Sequence, residues 1–334
     1  MASLLSAETV LQRIDGDHEV LLRKEVLRFD AKPGLFVVRK HLPGGPTLPP
    51  VLLVHGFAQN RYTWHTSRRS MSAWLAAAGF DVWNLELRGH GRNREAGGDG
   101  AEAFADYVAD VAALVDELPD RPFVIGHSLG GAVLYAAATA LPPGALRGVV
   151  GIGAVYHFGQ DNPALMALCR LTHSFRDAPW MSTVQVRTGL AGILLGKLYG
   201  LSDIAGYASP ISGWWPGSVE PELLAERLER GFDWTSVRVW QEMSRWAATG
   251  TFDYDEAWRQ TDVPVLVCLG DRDHLMPVRD GRVAYERSGS ADRSLHVFDD
   301  YRHAVHWGHL DLVLGKAAPD HVWPRVADWM RERS

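Results

Sequence analysis

Phe123-Val124-Ile125-Gly126-His127-Ser128-Leu129-Gly130-Gly131 is the stretch on which the fold of this chain turns. Phe123-Val124-Ile125 is a short apolar run that reads as a buried strand, and Ala132 to Ala140, rich in small residues, reads as a helix. Between them lies Gly-x-Ser-x-Gly. In a strand–turn–helix context this spacing makes a sharp turn whose central residue is strained. A side chain at either glycine would collide with the neighbouring strand or helix. The turn lifts the Ser128 hydroxyl above the sheet edge. It also sets the Leu129 amide at a helix N-terminus, pointing where an oxyanion would form. Ser128 is thus the candidate nucleophile. A glycine-rich turn with an idle serine carries the same bare motif, and only the surrounding pattern argues against it.

Outward from this turn, strand and helix patterns alternate. Val51-Leu52-Leu53-Val54, bounded by Pro50 and Gly56, is a continuous apolar run of the kind covered on both faces. Val82 to Leu87, Val149 to Ile152, Val265 to Leu269 and Leu295 to Phe298 read as further strands. Met71, Trp74, Leu75 and Ala78 share a helical face that stops at Gly79. Phe104, Tyr107, Val108, Val111, Val115 and Leu118 repeat at helical spacing, and Val322, Val326 and Trp329 mark a closing helix. Lys24 to Phe29 and Leu35 to Val38 predict a paired edge around Lys32-Pro33-Gly34. The alternation predicts an α/β class with a mostly parallel central sheet and helices on both faces. Ligands of such sheets bind at the carboxyl ends of the strands.

Roughly 110 residues separate Ile152 from Val265, too many for a plain loop in a compact domain. Val239, Trp240, Met243, Trp246 and Ala247 are helical in spacing, and Ser209-Pro210 and Trp215-Pro216-Gly217 make corners. The expectation is an inserted helical cap over residues 155–259, on a core built from 1–154 and 260–334. Seven tryptophans fall in it: Trp180, Trp214, Trp215, Trp234, Trp240, Trp246 and Trp258. Some must pack the cap itself. Others, with the apolar run Leu190 to Gly196, would roof an apolar groove.

Further candidates lie after other strands. Val54-His55-Gly56-Phe57 offers a second backbone donor at Phe57, with His55 read as structural. Gly270-Asp271-Arg272-Asp273 follows the run ending at Leu269, and a carboxylate there can orient a histidine and stabilise its imidazolium. Asp271 and Asp273 compete, with Asp273 preferred. Downstream, His303, His306 and His309 compete as general base, with His309 preferred because it leaves the most chain to return over the sheet. Their spacing of three also invites a metal reading. It is set aside because Gly308 interrupts the helix and no cysteine is near in sequence. The order Ser128, Asp273, His309 is the Ser–Asp–His order.

Composition narrows the classes. The chain has 334 residues, 34 basic and 40 acidic, net charge −6, and no run of Lys or Arg, so it carries no footprint for nucleic acid. Its N-terminus has no basic leader, and its longest apolar stretch, Leu190 to Leu201, is broken by Lys197 and too short to span a bilayer. Two cysteines, Cys169 and Cys268, make no disulfide framework. A cytoplasmic protein without cofactor or metal is expected.

Leu53-Val54-His55-Gly56 with Trp64, Arg88-Gly89-His90-Gly91, Gly126-His127-Ser128-Leu129-Gly130-Gly131, Gly270-Asp271-Arg272-Asp273 with Pro277, and Gly308-His309-Leu310-Asp311 together resemble the α/β-hydrolase superfamily. The nearest branch in motif is the lipases and esterases near the acid lipases and polyhydroxyalkanoate-synthase-like hydrolases. The resemblance implies Ser128, Asp273 and His309 as a triad, the Phe57 and Leu129 amides as an oxyanion hole, and Arg88 and His90 as scaffold. Polyhydroxyalkanoate synthases carry Cys where this chain has Ser128, which disfavours polymer synthesis. Dehalogenases and epoxide hydrolases carry Asp there and are disfavoured too. The expected activity is hydrolysis of a small apolar carboxylic ester. A thioesterase or acyltransferase would use the same triad. A non-catalytic ligand-binding protein on the same fold is the alternative from another class.

Overall fold

The computed structural model describes residues 2–30, 34–175, 185–187 and 209–334. The apolar run Leu190 to Gly196 and Trp180 lie outside them. Nine strands form one sheet in the order β1-β2-β3-β5-β4-β6-β7-β10-β11. They are β1 Ala2–Asp15, β2 His18–Phe29, β3 Leu35–His41, β4 Leu48–Val54, β5 Phe80–Glu86, β6 Phe123–His127, β7 Gly148–Ile152, β10 Val265–Gly270 and β11 Arg293–Phe298. A separate antiparallel pair joins β8 Gln185–Arg187 to β9 Trp234–Ser236. From β5 to β11 every pairing in the main sheet is parallel; β1, β2 and β3 extend it antiparallel.

Why these runs become central strands is visible in their alternation. Leu52, Val54 and Val124 face one apolar layer, and Val51, Leu53, Phe123 and Ile125 face the other. The first layer is packed by α2 (Phe104–Val115) and α3 (Leu129–Ala140), the second by α1 (Met71–Ala77) and the C-terminal helix Ala318–Arg331. Both faces are dry, so polar alternation has no place in these strands. Both cysteines are free and buried.

The hairpin of β2 and β3 has the expected partners, Phe29 opposite Leu35 and Val26 opposite Val38. It is not the sheet edge, however. β1 pairs along almost all of β2 and takes the edge itself. Its side chains are mostly exposed, so it shows no clean period of two to announce it.

The parallel strand order reverses between β4 and β6. From β4 the chain moves to β5 on one side, then crosses back to β6 on the other. The crevice at such a switch lies at the strands' carboxyl ends. Here those ends are His55-Gly56-Phe57 and His127-Ser128. β7 and β10 are paired neighbours, and the long insert between them contributes helices Pro163–Ser174, Pro221–Gly231 and Val237–Thr249. Among the described residues no helix is long and apolar enough to cross a membrane.

Candidate active site

Ser128 stands between β6 and α3 with φ 56° and ψ −125°, a conformation that a side chain adopts only under constraint. The constraint is close packing. A Cβ on Gly126 would lie 2.5 Å from the Gly130 carbonyl carbon, and one on Gly130 would lie 2.3 Å from the Val54 oxygen. The turn therefore closes against β4 only with glycine on both sides of the serine. The Ser128 N–H donates to the Ile152 carbonyl at 3.1 Å, tying the turn to β7.

Asp273 and His309 form a buried pair. Asp273 Oδ2 lies 2.7 Å from His309 Nδ1, and Oδ1 accepts the Leu275 and Met276 amides at 2.9 and 2.8 Å. The two residues are 3% and 2% exposed. A carboxylate only accepts, so Nδ1 carries the proton, and the lone pair of a singly protonated ring lies on Nε2. Nε2 is buried and has no partner among the described residues. His127, the neighbour of Ser128, fixes this ring on the turn. Its Nε2 donates to the His309 carbonyl at 3.1 Å, and the two rings are 4.5 Å apart. Burial, with His309 beside it, holds His127 well below the usual imidazole range, so it stays neutral.

Asp271 and His306 make a second pair elsewhere. Asp271 Oδ2 lies 2.5 Å from His306 Nδ1, and Asp300 Oδ2 lies 3.4 Å from His306 Nε2. These three form the one cluster with metal-ligand spacing among the described residues. Asp271 and Asp300 each already face a ring nitrogen of His306. His303 packs among His296, Phe298 and His321. The three histidines thus go to three places.

The two candidate oxyanion donors lie on either side of the crevice. Neither the Phe57 nor the Leu129 amide has an acceptor among the described residues, although Leu129 is buried. A buried N–H without a partner is rare. Gly56 permits their approach, because a Cβ there would come within 2.9 Å of Ser128 Cβ. His55 is fully used: Nδ1 donates to the Gly56 carbonyl at 3.0 Å and Nε2 accepts the Leu87 amide at 3.1 Å. Burial keeps it neutral. Arg88 is bound to Asp110 and Asp106, and His90 Nδ1 to the Arg88 carbonyl.

Residues 49–310 match the family of the alpha/beta hydrolase fold. The chain belongs to the α/β-hydrolase family. A monoacylglycerol lipase of Mycolicibacterium smegmatis is 26% identical over 262 residues, 76% of this chain and 81% of its own length. A non-heme haloperoxidase of Rhodococcus erythropolis is 26% identical over 235 residues, 69% of this chain and 76% of its own. In three dimensions the chain resembles the monoacylglycerol lipase of Paleococcus ferrophilus, with a TM-score of 0.62 at 18% identity, covering 90% of this chain and 99% of that one.

Asp311 has a part that the sequence left unassigned. Oδ2 accepts the Trp215 amide at 2.9 Å and also the Gly308 amide, and Oδ1 accepts the Ser218 hydroxyl at 2.7 Å. Leu310 donates to the Gly213 carbonyl at 2.8 Å. The loop carrying His309 is thereby bolted to the segment 213–218 of the insert. Its place in Gly308-His309-Leu310-Asp311 was the only available signal.

Proposed function

We propose that this chain is a serine hydrolase that cleaves carboxylic esters of apolar acyl groups through an acyl-enzyme on Ser128. The observation that carries the reading is the buried Asp273–His309 pair, its free Nε2 held beside the strained Ser128 turn. His309 takes the Ser128 proton as Oγ attacks the ester carbonyl, and Asp273 stabilises the resulting imidazolium. The Phe57 and Leu129 amides meet the oxygen that gains negative charge. As the tetrahedral intermediate collapses, His309 gives its proton to the leaving alkoxide. Water, deprotonated by the same histidine, then releases the acid.

The family and the lipase relatives support ester hydrolysis. Apolar specificity draws on Trp240 of the insert, half-buried, with its ring 5.6 Å from Phe57 and 6.3 Å from Phe158. Not every tryptophan of the insert contributes. Trp246 packs edge-on against Phe104 inside the core, and Trp258 is fully buried against Tyr135. In this reading residues 155–259 serve as a cap on a core of 1–154 and 260–334, with Trp240 the ring of the insert that lies beside Phe57. Each acyl methylene buried against it contributes about 0.8 kcal/mol.

The test is kcat/KM on p-nitrophenyl esters from acetate to laurate. The rate is expected to rise to medium chain length and then fall, and to vanish in Ser128→Ala. A strict preference for acetate or for anionic acyl groups contradicts the apolar groove.

A further inference from the structure

A row of buried polar side chains runs from the insert to the nucleophile and has no role in the scheme above. Arg227 Nη2 donates to Thr63 Oγ1 at 3.2 Å, and Thr63 Oγ1 donates to Gln59 Oε1 at 2.8 Å. Exposures are 0%, 1% and 6% for Arg227, Thr63 and Gln59. Gln59 borders Ser128 across Gly56: a Cβ on that glycine would lie 2.9 Å from Ser128 Cβ and 3.3 Å from Gln59 Cδ.

Arg227 is an expensive residue to bury. Among the described residues no carboxylate pairs with it, and its Nε and Nη1 have no partner. The guanidinium fits only because Gly231 has no side chain, since a Cβ there would lie 1.7 Å from Nη1. Phe232 covers its other side at 5.7 Å. An unpaired buried charge is strongly destabilising, so its place calls for a reason beyond packing.

The reason is direction. A guanidinium donates and cannot accept. Thr63 Oγ1 must therefore accept from Arg227, and its single hydrogen is left for Gln59. Gln59 must then turn Oε1 toward Thr63, because its NH2 end has nothing to offer a donor. With the oxygen end held, the NH2 end is fixed on the opposite side. Gln59 Nε2 has no acceptor among the described residues. Without the guanidinium, the Thr63 hydroxyl could accept from a flipped amide instead.

We propose that Gln59 Nε2 is a third donor to the oxyanion formed at Ser128, and that Thr63 and Arg227 are positioning residues that keep its amide in the donating orientation. This rests on Ser128 being the nucleophile. Gln59 lies two residues past Phe57 on the same loop, so the side-chain donor and the backbone donor share one support.

The experiment measures kcat and KM with p-nitrophenyl butyrate, alongside melting midpoints. Gln59→Leu and Thr63→Val are each expected to lower kcat about 10- to 100-fold with KM within about twofold. Gln59→Glu keeps size and an acceptor for Thr63 but lacks the amide donor, so it should lose at least as much, and it carries the test if Thr63→Val fails to fold. Thr63→Ser keeps the hydroxyl and should stay within about threefold of the native rate. In the Gln59→Leu background, Thr63→Val should cost nothing further, since the group it orients is gone. Unchanged kcat in folded Gln59→Leu and Gln59→Glu, or the same loss from Thr63→Val in both backgrounds, overturns the inference. Turnover retained in Ser128→Ala overturns the nucleophile reading and this inference with it. A dead Ser128→Ala beside an unaffected Gln59→Leu overturns this inference alone.

Discussion

Two Asp–His pairs sit on the same two loops, Asp273 with His309 and Asp271 with His306. Both join a carboxylate to Nδ1, at 2.7 and 2.5 Å. The shorter contact belongs to the pair we exclude from chemistry. What separates them is the other nitrogen. His309 Nε2 is buried without a partner beside the Ser128 turn. His306 Nε2 faces a second carboxylate, Asp300, and its ring lies against Trp215 at 4.8 Å. A base needs a free lone pair within reach of its proton, so carboxylate contact alone does not make one.

The sharpest way to break this comparison is to exchange the losses. His309→Ala is expected to reduce kcat by about four orders of magnitude, and Asp273→Asn by three to four, since each removes the base or its correct tautomer. If His306→Ala does this and His309→Ala does not, the pairs have been assigned the wrong way round. Steady-state kinetics on p-nitrophenyl butyrate decides it.

Asp311 should give the next largest effect, because it accepts from Trp215 and Ser218 of the insert and from Gly308 of its own loop. Asp311→Ala leaves these unpaired and is expected to lower unfolding free energy by about 2 to 3 kcal/mol, with a drop in kcat of about tenfold. Chemical denaturation and kinetics on the same sample check both. Burial outweighs the three donors and pushes the Asp311 carboxyl up to about 7. A carboxyl whose pKa is raised by folding contributes stability that is complete below its unfolded value and is lost as pH rises through the folded one. The melting midpoint of Asp311→Asn should therefore gain on the native protein between about pH 4 and about pH 7. A constant difference across that range contradicts the buried carboxyl.

The smallest effects belong to the outer pair. Asp271→Asn and His306→Ala are each expected to leave kcat within about threefold and stability within about 1 kcal/mol, as for half-exposed ion pairs generally. A tenfold loss of kcat in either, with an unchanged melting point, would give the outer pair a part in turnover.

The sequence made some of this legible for clear physical reasons. The runs Val51–Val54, Phe123–Ile125 and Val265–Leu269 are apolar throughout because they are buried on both faces, and a turn packed against β4 must have glycine at 126 and 130. The nucleophile turn and the parallel sheet follow from those two facts. Asp271 and Asp273 were harder, being two residues apart at one strand end. Only the path of the chain decides which one meets which histidine. β1 carries no such signal, because solvent on both faces imposes no period on Ala2–Asp15. The Arg227–Thr63–Gln59 row was invisible, since it joins a loop after β4 to a helix of the insert and none of the three belongs to a motif. Trp180 and the run Leu190 to Gly196, central to the expectation of an apolar roof, lie outside the described residues. Among the described residues the proposed roof draws on Trp240, whose ring lies beside both Phe57 and Phe158.

The claim on which all of this depends is that Ser128 is the nucleophile. The most direct measurement is peptide mass mapping of the protein after reaction with a fluorophosphonate. One adduct is expected, on the peptide containing Ser128, slowed strongly in His309→Ala and only slightly in His306→Ala. An adduct on another residue, or labelling that persists undiminished in Ser128→Ala, would contradict it.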